Sequence, residues 1–226
     1  KKIAATAATA TSAQSSIYMV GGSSSNIKEP VCLVNYTDWR LRCPQPVCST
    51  FPGRCDGLDL MDVSVVAPDL QLIKDRGVGM VGFTRTKTSP SFIMAVAVFA
   101  WQDKGVEISE VSYRVSRDGL HEQQYTELWR RQTSDCCRED GGLVLDVGAN
   151  LGYYALYAAT LGCRVVAWEP IPTFGAFVRA SAAINGLAHR VEVRRAVASD
   201  AGGRNVTMLV PRTGWDISSV GGLNQA

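Results

Sequence analysis

The chain has 226 residues, 46% of them hydrophobic, with a formal net charge of +2. That length allows one large domain or two small ones around a sizeable core. The near-neutral balance has no clustered basic face, which speaks against nucleic-acid partners; Arg190, Arg194 and Arg195 read as flanking a strand instead.

Residues 1–28 are rich in Ala, Ser and Thr and begin at Lys1 rather than Met. This low-complexity composition predicts a disordered segment, a linker or a transit-type leader that lacks the usual Arg. Residues 29–119 form a cysteine-containing region in which apolar runs are broken by Pro and Gly. Four of those runs, 62–67, 77–83, 92–101 and 111–115, are rich in β-branched residues and predict strands. The run 92–101 is the longest apolar one and falls far short of the ~20 residues a membrane helix needs, so no transmembrane segment is predicted within this chain. No catalytic motif stands in this region, and its role is open.

Seven cysteines are present. Cys32, Cys43, Cys48 and Cys55 crowd together, but the tight Cys-x2-Cys pairs of zinc sites are missing, so no metal is predicted. A disulfide staple in a secreted protein is possible, and two glycosylation sequons exist, Asn35-Tyr36-Thr37 and Asn205-Val206-Thr207; the second lies inside the candidate ligand-binding region, and a sequon occurs easily by chance. Cys163 precedes an apolar run, where a reduced core cysteine is the simplest reading. Compartment stays open at this point.

From residue 120 the pattern changes. Tyr125, Leu128 and Trp129 recur at helical spacing, predicting an amphipathic helix over 121–134 with His121 as a surface residue at its start. Residues 143–148 read as a strand buried on both faces, and 153–162 as a helix stopped near Gly162. A strand follows at 164–170, then a helix at 174–187 and a strand at 191–199. Residues 205–211 would add a further strand. This β-α-β-α-β order predicts a parallel, Rossmann-like unit over 120–226.

Such sheets bind ligands beyond the carboxyl ends of their strands. Gly148 and Gly152 stand where the first strand must turn sharply into its helix. Glu169, 23 residues after Asp146, ends the second strand, where a carboxylate can accept hydrogen bonds from ribose hydroxyls. Dinucleotide sites favour Gly-x-Gly-x-x-Gly; here Asp-Val-Gly-Ala-Asn-Leu-Gly has two glycines only. An acid two residues before the first glycine repels a pyrophosphate and suits the sulfonium and amino group of S-adenosylmethionine. An NAD-dependent oxidoreductase and a non-catalytic Rossmann-like binding module are the alternatives.

The stretch from Leu143 to Pro170, with Ala-Ile-Asn-Gly-Leu and Val-Glu-Val-Arg-Arg-Ala-Val-Ala-Ser-Asp-Ala-Gly-Gly after it, resembles the FkbM-type methyltransferases, a branch of the class I S-adenosylmethionine-dependent enzymes. The resemblance covers residues 120–226. It implies a Rossmann-like class I methyltransferase fold preceded by a mixed α/β region. It places Asp146, Gly148, Asn150 and Gly152 around the cofactor's methionine part, Glu169 on the ribose and Ala196 beside the adenine, with Tyr153 also among the cofactor-binding residues. It implies O-methyl transfer to a small-molecule or glycan acceptor. Family members continue into a Lys-x-Asp-x-Glu-Gly-type strand that is not found here, so the domain is expected to be truncated after its first strands. No catalytic base can be named; Asp200 and Asp216 read as turn residues.

Overall fold

The computed structural model describes residues 29–76, 80–98, 109–137, 142–200, 207–209 and 219–220. The predicted disordered segment 1–28 lies outside the described residues, as do Asn205 and Asp216. The fold is mixed α/β.

Two short strands, β1 (Cys32–Asn35) and β2 (Arg40–Arg42), pair antiparallel around a hairpin. Neither was expected from the sequence, because four and three residues are too few to show alternation among cysteines. Helix α1 (Gln45–Cys48) follows, then a 3-10 turn at Ser64–Val66 that runs into α2 (Ala67–Asp75). Of the strand expected at 62–67, residues 64–67 are therefore helical, and Asp62 forms only an isolated bridge with Arg40. Val66, Leu70 and Ile73 are buried at helical spacing, and Pro68 stands in the first turn, where its missing N–H costs nothing. Strands β3 (Met80–Arg85) and β4 (Ile93–Val98) occupy two of the predicted runs. They complete an antiparallel sheet in the order β2-β1-β3-β4.

The expected strand at 111–115 is also a helix, α3 (Glu110–Asp118). Ser109 caps it by accepting the Ser112 N–H, and Gly119 ends it in the left-handed conformation at φ 78°. Those two signals outweigh the β-branched content of the segment. Arg54 is fully buried and ties this region together. It donates to the carbonyls of Arg85, Val115 and Ser116 and to Thr84 Oγ1.

Helix α4 (Gln123–Cys136) agrees with the predicted amphipathic segment. After it come β5 (Leu143–Val147), α5 (Tyr153–Thr160), β6 (Arg164–Trp168), α6 (Pro172–Ile184) and β7 (Val191–Arg194). The three strands form a parallel sheet in the order β5-β6-β7. Residues 195–199, expected to extend the last strand, are irregular. Of the run 205–211, Met208–Leu209 forms β8, paired antiparallel with β9 (Ser219–Val220).

Strand β5 is not buried on both faces. Val144 packs with Val165, Ala167 and Val191 on the side covered by α5 and α6. Its other side leaves Leu143, Leu145 and Val147 exposed at 56%, 56% and 61%. The helices lie against one face, and β5 is an edge strand of the three-stranded sheet.

The two sheets meet through α6, which packs on β4 and α2. The open edge of β4 is met by side chains. Ile93 N–H donates to Asn185 Oδ1 at 2.8 Å, Ala95 N–H to Ser181 Oγ at 2.9 Å and Ala97 N–H to Ser112 Oγ at 3.0 Å. Asn185 Nδ2 returns a bond to the Ile93 carbonyl at 2.6 Å. Arg179 on α6 bridges Asp69 on α2, and Phe92 stacks on Tyr157.

Three disulfides are present: Cys32–Cys43, Cys48–Cys55 and Cys137–Cys163. The last corrects the expectation of a reduced Cys163. Residue 137 follows the last residue of α4 and 163 precedes β6, positions 26 apart in sequence whose Cα atoms the fold brings to 4.9 Å.

Candidate functional site

The carboxyl end of β5 turns into α5 through three left-handed residues: Gly148 at φ 81°, Asn150 at φ 53° and Gly152 at φ 86°. The two glycines serve different ends. A Cβ on Gly148 would meet nothing within 4 Å, so its backbone borders open space. A Cβ on Gly152 would lie 2.8 Å from Val178 Cγ2, so this glycine lets the turn close on α6. The turn hangs from β6, since the N–H groups of Gly148 and Ala149 both donate to the Trp168 carbonyl.

Glu169 is 5% exposed and sits under the turn. One carboxylate oxygen accepts the Asn150 N–H and the other the Ile171 N–H, each at 2.8 Å. Burial pushes its pKa up, the two backbone donors pull it down, and the charge of Asp146 adds to the rise. The acid expected to hold a ribose thus also braces the loop. Each oxygen keeps lone-pair capacity beyond the one bond it accepts.

Asp146, on the helix-covered side of β5, is raised by burial to about 6, against the pull of the Ala155 N–H. Its Oδ2 is buried and has no hydrogen-bond partner among the described residues, and neither does Oδ1 of Asn150. Two acceptor-only atoms are therefore presented without donors at one glycine turn. Buried acceptors left unpaired are uncommon and costly, so the pair is suited to a ligand that brings N–H groups or positive charge.

Asp146 also lines a cleft of about 570 Å³ with Glu122, Tyr125, Leu128, Trp129, Gln132 and Tyr154. Tyr125 and Leu128, read from the sequence as part of the apolar spacing of an amphipathic helix, are 52% and 53% exposed and form its wall. Their spacing is that of any amphipathic helix, so the sequence carries no signal that they face a cleft. Trp129 is held by its Nε1–H on the Tyr154 carbonyl, and Tyr154 Oη donates to Glu122.

The structure brings Asp146, Gly148, Asn150, Gly152 and Glu169 together. Tyr153 does not face the cleft. It is buried against Phe92 and His121, with its hydroxyl on Thr126. His121, expected at the surface, is mostly enclosed, with its ring edge-on to Tyr153 and its Nε2 3.4 Å from Glu122. Ala196 is exposed beyond β7, its N–H on the Arg194 carbonyl. Cys32, Cys43, Cys48 and Cys55 gather four sulfurs within 4.8 Å of one another. All four are joined in disulfides and so offer no thiolate to a metal.

No family model and no curated protein matches the chain. Among solved structures, the S-adenosylmethionine-dependent methyltransferase from Agrobacterium tumefaciens is similar at 14% identity and a TM-score of 0.34. The match covers 46% of this chain and 29% of that one.

Proposed function

We propose that the β5–α5 turn binds S-adenosylmethionine and that the chain is a methyltransferase of the FkbM type, acting on a hydroxyl of a small molecule or glycan. The observation that carries this is the unpartnered Asp146 Oδ2 before the glycine turn, with a second unpartnered acceptor, Asn150 Oδ1, within the turn. The ammonium and sulfonium of that cofactor supply the donors and charge these atoms lack. A pyrophosphate presents acceptors only, and the first turn of α5, where it would bind, is already engaged by Asp146 through the Ala155 N–H.

The residues fit the group in three respects. Gly148 leaves its backbone open to a ligand, Glu169 retains acceptor capacity toward a ribose, and the cleft beside Asp146 has the volume of a nucleoside-sized pocket. When bound, the cofactor supplies a methyl group already activated by its sulfonium. The protein then needs to hold the donor and acceptor in line and exclude water. Asp146 and Asn150 would fix the amino-acid end, Glu169 the ribose, and Trp129 and Tyr125 would shield one side. No base for the acceptor hydroxyl is assigned.

Titration calorimetry of the full chain with S-adenosylhomocysteine and, separately, with NAD tests the reading. We expect heat with the first, its loss in Asp146→Ala, and none with the second. Binding of NAD without a response to S-adenosylhomocysteine would point to an oxidoreductase. Silence toward both would point to a non-catalytic module.

A further inference from the structure

The sequon Asn35-Tyr36-Thr37 plays no part in the candidate site. Asn35 is the last residue of β1 and pairs with Arg40 at the start of β2, so residues 36–39 form the hairpin tip. Asn35 is half-buried and Thr37 exposed. Asn35 Oδ1 accepts the Thr37 N–H at 3.0 Å, which folds the tripeptide back on itself. Its Nδ2 makes no hydrogen bond among the described residues. Tyr36 and Trp39, with ring centroids 5.6 Å apart, give the tip a half-exposed aromatic base. A hairpin tip of this kind accepts a bulky substituent without disturbing the core.

A second observation is independent of the sequon. Six of the seven cysteines are paired, and Cys32–Cys43 closes the very hairpin that carries Asn35. Disulfides at this density persist in oxidising compartments and are rare where glutathione keeps thiols reduced. The secretory route that supports them is also where Asn-x-Thr acceptors at the surface are modified.

We propose that Asn35 is an N-glycosylation site, modified as the chain passes through the oxidising secretory compartment. In the transfer, Nδ2 forms a bond to the anomeric carbon of an oligosaccharide carried on an isoprenoid diphosphate. The bond from that carbon to the diphosphate oxygen breaks, the diphosphate leaves with the electron pair, and the amide proton passes to a base of the transferring enzyme. No oxidation or reduction is involved.

The test is expression of residues 1–226 behind a cleavable secretion signal in a eukaryotic cell. The chain is recovered from medium and whole-cell extract together, so that a poorly folding variant is still read. Amidase release of N-glycans in heavy-oxygen water should convert Asn35 to labelled Asp in the tryptic peptide of residues 29–40. Asn35→Gln and Thr37→Ala should each remove one glycan's mobility step, while Thr37→Ser retains it. Recovery of Asn35 as unmodified asparagine would overturn the proposal. So would a mobility step that survives Asn35→Gln and disappears only in Asn205→Gln.

Discussion

Replacing Asp146 with Asn separates what the residue does for the fold from what it does for a ligand. Burial raises its pKa from 3.8 to about 6. At ~1.4 kcal/mol for each tenfold change in the ionisation constant, holding that charge at pH 7.5 costs the fold about 3 kcal/mol. Asn keeps the shape and an acceptor for the Ala155 N–H, but its own N–H2 needs partners. The expected gain at pH 7.5 is therefore about 1–3 kcal/mol. The sign follows from the raised value. The stabilising protonated form is fully present below pH 3.8 and is lost as pH rises through about 6. The wild-type chain therefore weakens between pH 4 and 7 relative to the variant, and the difference vanishes near pH 4. Urea unfolding of the disulfide-intact chain, followed by circular dichroism at both pH values, measures it. A variant less stable at pH 7.5, or a gain of equal size at pH 4, would refute the reasoning. The same substitution should abolish S-adenosylhomocysteine binding, as expected of a group kept for function at the expense of stability.

Because the ammonium of S-adenosylhomocysteine pairs with the ionised carboxyl, its affinity should be level above pH 7. Calorimetry should show it falling up to tenfold for each pH unit below about 6. Gly148→Ala should cost about 1–2 kcal/mol, the strain of a left-handed alanine with no clash around it. Gly152→Ala meets Val178 as well and should show a clearly lower urea midpoint than Gly148→Ala. Paired replacement of Cys137 and Cys163 by Ser releases a 26-residue loop closure and should lower stability by about 3.5 kcal/mol in the same assay.

Residues 143–187 are legible in the sequence because each local signal there agrees with the next. Apolar runs of strand length alternate with helix formers, the glycines fall where φ must be positive, and Pro172 opens a helix. The candidate site is legible as a set of residue types but not as a geometry. That Glu169 spends both oxygens on backbone N–H groups, while Asp146 keeps one oxygen unmatched, depends on how two strand ends are offset. The N-terminal region is harder to read. In residues 62–67 and 111–115, β-branched content competes with capping and helical spacing, and tertiary burial of Leu70, Ile73 and Val115 decides for helix. Tyr153 shows the opposite effect: it directly follows the glycine turn, yet the fold buries its side chain against Phe92 and His121.

The side chains along the edge of β4 have a consequence for self-association. An open strand edge is a template on which another strand can add, and here Asn185, Ser181 and Ser112 occupy its alternate N–H positions. The protection is therefore written in three polar side chains on two helices rather than in a neighbouring strand. Apolar substitutions at all three would leave the β5–α5 turn untouched yet expose a template in a strand made only of Ile, Met, Ala and Val. The outcome would be chain-to-chain β-sheet growth, visible as concentration-dependent oligomers.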